Sequence, residues 1–357
     1  MNEKRSQPVS KPPNPAKPFL ENERPTLKTI AFMTGLGVTT VSRALKDAPE
    51  IGPETRKRVQ LIARQIGYRP NRAGVRLRTG KTNVIALVLN TQDEIMGFTS
   101  QVIHGVADVL AETQYHLILT PYFHSRAPIE PIRYIVETGS ADGIIFSRTE
   151  PDDQRVHYLT EHDFPFATHG RTDTGIEHPY HDFDNFTFAL EMVGKLSTLG
   201  RRRLALLTPP AHLTYYRHMV GGFYEGLRTF HCSGTPLEGV DLDTSLEDLR
   251  LHVAQLMKRA DRPDGIICSG SAAALAIVAG IEDAGMNIGN EVDVAAKQST
   301  EILHWFRPGL IVVEESFKLA GQQLGKAILG RINGKDVKSL QTIGYVGGGH
   351  PNPAGSG

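Results

Sequence analysis

Thr26-Leu-Lys-Thr-Ile-Ala-Phe-Met-Thr-Gly-Leu-Gly-Val-Thr-Thr-Val-Ser-Arg-Ala-Leu45 reads as two short helices around a glycine turn. Thr26 suits an N-cap, because its hydroxyl can accept from a free first-turn N–H. Ile30, Ala31 and Met33 supply the apolar side of the first helix, and Thr34-Gly35-Leu36-Gly37 ends it. Val38, Val41 and Leu45 recur at i, i+3 and i+7, which predicts one inward face of a second helix. Thr39, Thr40, Ser42 and Arg43 fall on its other faces. Short polar groups followed by an arginine suit base edges in a major groove. A third helix opens at Ile51-Gly-Pro-Glu54, with Val59, Ile62, Ala63 and Ile66 as its inner stripe. The same three helices could also be a plain packing unit.

Charge separates these readings. The chain is neutral overall, with 39 basic and 39 acidic residues. Residues 24 to 81, however, hold 13 Lys/Arg against 3 Asp/Glu, whereas the stretch from 82 onward holds 22 against 33. A cationic head on an acidic body is what phosphate contact by one end requires.

From Asn83 short apolar runs alternate with helical stretches. The runs are Val84 to Leu89, His116 to Thr120, Asp142 to Phe146, Phe164 to Thr168, Leu204 to Leu207, Asp264 to Cys268, Val292 to Ala296 and Leu310 to Val313. Strands apolar on both faces and separated by helices imply parallel sheets covered on both sides. The length of this series predicts two α/β lobes.

Ligands in such sheets sit beyond the carboxyl ends of the strands. Polar residues crowd there: Ser147-Arg148-Thr149-Glu150, His169-Gly170-Arg171, Asp182-Phe-Asp184-Asn185, Tyr215-Tyr216-Arg217, Ser269-Gly270-Ser271, Lys297-Gln298 and Glu314-Glu315-Ser316-Phe317. With Phe98 and Trp305 as aromatic faces, they suit a polyhydroxylated ring. The cations Arg148, Arg171, Arg217 and Lys297 leave open an effector with a carboxylate or phosphate, beside a neutral sugar balanced by Asp184 and Glu315.

Several chemistries are set aside. The run from Gly74 to Thr82 has five residues between its glycines and precedes a strand, so it is not a phosphate-binding P-loop. His178-x-x-His181 lies beside Asp182, but Pro179 marks an irregular loop, so neither metal nor cofactor is expected. No nucleophile elbow and no His-Glu-x-x-His run occurs, and no enzyme is expected. Five prolines among polar residues predict a disordered tail over 1–24. The absence of a signal-like segment and of long apolar runs predicts a cytoplasmic protein without a membrane anchor. Cys232 and Cys268 are the two cysteines, consistent with a reducing compartment.

Thr40-Val-Ser-Arg43, Gly67-Tyr-Arg-Pro-Asn71 and Leu77-Arg-Thr-Gly80 together resemble the lactose-repressor (LacI/GalR) family of bacterial transcription regulators. The likeness implies an α/β protein: a helix-turn-helix head over 25–70, a hinge helix and linker over 71–82, and a two-lobed body over 83–340 like periplasmic sugar-binding proteins. A flexible tail is expected over 341–357, and its lack of leucine heptads favours a homodimer over a tetramer. The resemblance places Val38, Thr39 and Arg43 at base-reading positions and makes Leu77 a wedge into the minor groove. Thr26, Tyr68, Asn71 and Arg72 complete the DNA-binding candidates. Arg43 as a phosphate clamp and Leu77 as a core contact are the plainer alternatives.

In the body, the resemblance matches Asp184, Lys297, Glu315 and Phe317 to effector-contacting positions, with Arg217 two residues before the family's arginine. A helix cap for Asp184 and a lobe-closing ion pair between Lys297 and Glu315 are the competing roles. Gly37 stands where the family usually has a capping Ser, and Gly74 where its hinge has Ala. The expected partners are double-stranded operator DNA, a sugar-like effector and a second copy of the chain. A transport solute-binding protein would share the body but not the basic head.

Overall fold

The computed structural model describes residues 25–69, 80–90, 97–122, 127–299, 302–344 and 352–353. The tail over 1–24 and the hinge residues Asn71, Arg72, Gly74 and Leu77 lie outside them. Two compact units divide at Gly80 and Lys81.

The first unit holds α1 (Leu27–Thr34), α2 (Val38–Ala44) and α3 (Pro53–Gln65). Thr26 and Thr29 form a reciprocal capping box: Thr26 Oγ1 accepts from Thr29 N, and Thr29 Oγ1 accepts from Thr26 N. Gly35 closes α1 in the left-handed region, at φ 71°, where a side chain would be strained. Gly37 begins α2 with no side-chain cap, and Pro53 occupies the first turn of α3. Ile30, Ala31, Val41, Ala44, Val59 and Ala63 bury the centre. Two residues expected inside are not: Val38 and Met33 are exposed, and Thr34 takes the inner position, its hydroxyl donating to the Ile30 carbonyl.

The second unit carries two sheets. In chain order its first elements are β1 (Val84–Asn90), α4 (Phe98–Leu110), β2 (His116–Tyr122), α5 (Glu130–Thr138), β3 (Gly143–Phe146), α6 (Gln154–Glu161), β4 (Phe166–His169) and β5 (Tyr180–Phe183). There follow α7 (Asn185–Thr198), β6 (Arg203–Leu206), α8 (Thr214–Thr229), β7 (Ser233–Pro236), α9 (Leu246–Met257), β8 (Gly265–Cys268), α10 (Ser271–Asp283) and β9 (Asp293–Gln298). The last are α11 (Ile302–Phe306), β10 (Ile311–Glu314), α12 (Phe317–Ile332), β11 (Gln341–Gly344) and β12 (Asn352–Pro353).

The first lobe is a sheet in the order β12-β11-β5-β4-β3-β1-β2, and the second is β10-β9-β8-β6-β7. Among the described residues the strand pairings are parallel except β11 with β12. β1 shows why: Val84, Ala86 and Val88 pack with Ile132 and Phe146 on one face. Ile85, Leu87 and Leu89 meet Val102, Val106 and Leu324 on the other. The polypeptide crosses between lobes at Asp184 and returns at Glu315–Ser316, so α12 packs on the first lobe against α4.

Two expectations are corrected. Residues 341–344 are strand β11, paired along β5, because Ile343 and Thr342 continue its ladder; they are not a flexible tail. The stretch after Pro179 is likewise strand β5 rather than irregular loop, with His181 and Asp182 buried.

Candidate functional site

A cavity of about 200 Å³ opens between the lobes, beyond the carboxyl ends of their strands. It brings together seven of the expected residues: Phe98, Arg148, His169, Arg171, Lys297, Glu315 and Phe317. Asn90, Thr149, Asp182, Asn185, Thr214, Tyr215 and Ser269 also line it. Asn90 is the last residue of β1, so the carboxyl-end rule could have found it.

One end is aromatic. The Phe98 and Phe317 rings meet edge to face at 4.7 Å, and the His169 imidazole lies 5.5 Å from Phe98. Burial pushes the His169 pKa below its usual value, against the pull of Glu315 and Asp182. Behind it, His181 is stacked at 6.3 Å and bonded through Nδ1 to the Thr342 hydroxyl at 2.8 Å; burial lowers its pKa to about 3. The imidazoles therefore stand neutral here, as donors and acceptors rather than cations.

The other walls are ion pairs. Lys297 donates to Glu315 at 2.8 Å and to the Asn185 side-chain oxygen at 2.7 Å, with its ammonium over the Phe183 ring. Arg171 Nε donates to Asp182 at 2.6 Å. Arg148 makes a two-pronged pair with Asp243 of the second lobe. Each of these three cations is matched by a carboxylate, Asp243 standing just outside the lining, so the three pairs together carry no net charge.

The loop bearing Arg148 is built from below. Arg148 has φ 56°, an unusual conformation for a side-chain-bearing residue. It is held by buried Arg155, whose guanidinium donates to the carbonyls of Ser147 at 3.2 Å and Arg148 at 2.8 Å. Asp153 balances Arg155 at 2.7 Å and caps α6. Burial pushes the Asp153 carboxyl up, but the bonds and charge of Arg155 prevail and hold it below its ordinary value. Gly170, at φ 108°, passes so close that an added Cβ would stand 2.5 Å from the Thr149 hydroxyl.

Three candidates sit elsewhere. Asp184 caps α7, its carboxylate accepting from the Thr187 amide and hydroxyl. Arg217 is mostly exposed and paired with Asp173 at 3.0 Å. Trp305 is 71% exposed, edge-on to His304, and does not line the cavity. Their residue types were apt, but Asp184 is held as the N-cap of α7 and α8 turns Arg217 outward. Ser269 carries a buried hydroxyl oxygen with no hydrogen-bond partner among the described residues, a further group lining the cavity.

In the head, Val38, Thr39 and Arg43 are exposed on the first two turns of α2, while Thr40 and Ser42 are half-buried. Arg43 reaches Glu50 at 3.7 Å, an exposed and weak contact. Thr26 spends its hydroxyl on the cap, and Tyr68 packs against the head's core.

Comparison with known proteins agrees with this layout. Residues 26–71 match the model of bacterial regulatory proteins of the lacI family, and residues 193–345 match a periplasmic binding protein-like domain. The regulator AglR of Rhizobium meliloti (strain 1021) is 31% identical over 326 residues, covering 86% of this chain and 87% of that protein. RafR of Escherichia coli is 31% identical over 338 residues, covering 88% and 94%. Among solved structures, the lac repressor dimer bound to operator and an anti-inducer is similar at TM-score 0.77 and 19% identity, covering 91% of this chain and 97% of that one. A CelR–cellobiose complex matches at TM-score 0.66 and 21% identity, covering 93% and 100%. A helix-turn-helix head, a two-lobed body and this degree of likeness along nearly the whole chain place the protein in the lacI family of bacterial regulatory proteins, as a DNA-binding transcriptional regulator.

Proposed function

We propose that the protein is a dimeric repressor of duplex operator DNA whose hold is set by a compact, uncharged saccharide between the lobes. The carrying observation is the pairing of Arg148, Arg171 and Lys297 with Asp243, Asp182 and Glu315. An anionic effector would need a surplus of positive charge there. A polyol instead uses donors and acceptors side by side, and Phe98 and Phe317 offer faces for its C–H surface. The solved relative in complex with cellobiose supports the same class. The cavity is smaller than the roughly 300–1,000 Å³ common for drug-sized ligands, which favours one or two rings.

On DNA, exposed Val38, Thr39 and Arg43 would meet base edges in the major groove, and two copies would read the halves of a near-palindrome. The ligand acts by favouring one angle between the lobes. The setting is the cytoplasm; among the described residues no helix is long and apolar enough to cross a membrane. No catalytic role is assigned to the cavity.

Calorimetry with neutral mono- and disaccharides, uronic acids and sugar phosphates tests the ligand class. Saturable binding of a neutral sugar that also shifts affinity for the genomic binding site is expected. Binding confined to the charged compounds overturns it.

A further inference from the structure

Beside the cavity an ion pair joins the two lobes, each of its ends fixed to a different one. Arg148 follows β3 of the first lobe; Asp243 follows β7 of the second. Their contact is bidentate, Nη1 to Oδ1 at 3.0 Å and Nη2 to Oδ2 at 2.5 Å, between a half-buried Arg148 and an exposed Asp243. A paired guanidinium and carboxylate in this geometry is directional, and tolerates little displacement of either backbone.

Neither backbone is free to follow the other. Arg148 is pinned by Arg155 through the Ser147 and Arg148 carbonyls, and Glu150 N donates to Asp153 at 3.0 Å. On the opposite side, Asp243 N donates to the Asp241 carboxylate at 2.9 Å, in a turn closed by Thr244 and tied to the second lobe by Leu242 N donating to the Thr208 carbonyl at 3.0 Å. A change of lobe angle therefore pulls on the pair from both ends, against its bidentate geometry.

We propose that Asp243 is a positioning residue that clamps Arg148 across the cleft and latches the lobes at the angle seen here. Asp243 does not line the cavity, so its effect runs through Arg148. The latch is independent of the effector's chemical class, and its test needs no ligand.

The test is intramolecular fluorescence transfer in the full chain, with dyes on Glu137→Cys of α5 and Gln255→Cys of α9, both exposed, in a Cys232→Ser background. Labelled protein is diluted into an excess of unlabelled protein so that one molecule is read at a time. Arg148→Asp and Asp243→Arg should each shift the separation between dyes, and the double swap should restore it. Asp243→Asn should shift it in the same direction, and raising KCl should move the parent toward the Asp243→Asn value while leaving that variant still. Unchanged separation in the single reversals overturns the latch, as does a double swap that stays shifted while melting like the parent. Should the reversals misfold, an Asp243→Asn value identical to the parent overturns it alone.

Discussion

Lys297 and Glu315 lie 2.8 Å apart with 5% and 8% of their surfaces exposed, a charge pair almost wholly inside the protein. Glu315 stands where the polypeptide returns to the first lobe, and Lys297 is the penultimate residue of β9 in the second. The pair is thus part of the cavity wall and of the crossing at once. Removing one partner leaves the other charge buried without compensation, which typically costs about 3–5 kcal/mol. Lys297→Met is expected to lose stability on that scale in urea titration, and Lys297→Met with Glu315→Gln to regain a large part. A double variant no more stable than the single would contradict the pairing.

Acid should weaken the body through its histidines. The folded pKa of His181 is about 3 against an ordinary 6.5, because burial disfavours the cation. Between those values the unfolded chain binds the extra proton, so this contribution is complete above pH 6.5 and fades as pH falls toward 3. Its ceiling is on the order of 4–5 kcal/mol. His169, His178 and His218 are shifted in the same direction by burial. His181→Gln should therefore lose less stability than the parent between pH 7.5 and pH 5, read from urea midpoints. Parallel losses in both proteins would exclude His181 as a source.

Arg43 stands exposed on α2, with a long contact to Glu50 as its side chain's ion pair among the described residues. Arg43→Ala is expected to weaken specific operator binding by about 1–3 kcal/mol while leaving the thermal stability of the head unchanged. Fluorescence anisotropy with specific and scrambled duplexes at matched salt measures it. Equal weakening on both would identify Arg43 as a phosphate contact instead.

Two glycine positions should respond oppositely. Gly170→Ala faces a positive φ and a 2.5 Å approach to the Thr149 hydroxyl, so a loss of about 1–3 kcal/mol is expected, with weakened ligand binding. At Gly37 the nearest atom to an added Cβ is Thr40 Oγ1 at 3.9 Å. Gly37→Ser supplies the missing cap of α2 without collision, and a gain of a few tenths of a kcal/mol is expected in thermal melts.

What could be read from residues alone followed the strength of each apolar pattern. Val84–Asn90 and Gly265–Cys268 announce themselves as strands because both faces are apolar and buried. Tyr180–Phe183, Ser233–Pro236 and Gln341–Gly344 do not, since each is short, with mostly polar, small or proline residues, and pairs with neighbours distant in sequence. Val38 shared the spacing of Val41 yet lies outside, because periodicity gives a face without saying where the helix begins. In the cavity, Arg148 and Lys297 were legible from their places after strands. Asp243 was not, because its pairing with Arg148 depends on the closure of two lobes across 95 positions of chain. Asp184 and Arg217 had suitable chemistry, and local helix geometry committed them elsewhere.

The order in which the first lobe acquires its strands bears on how the protein is made. Its sheet begins near residue 84, but β11 joins β5 only at residues 341–344, after the polypeptide has laid down every strand of the second lobe. A ribosome must therefore release all the residues from 84 to 340 before that sheet can be completed. Until then one side of β5 stays open on the nascent chain, an interval in which chaperone protection counts most.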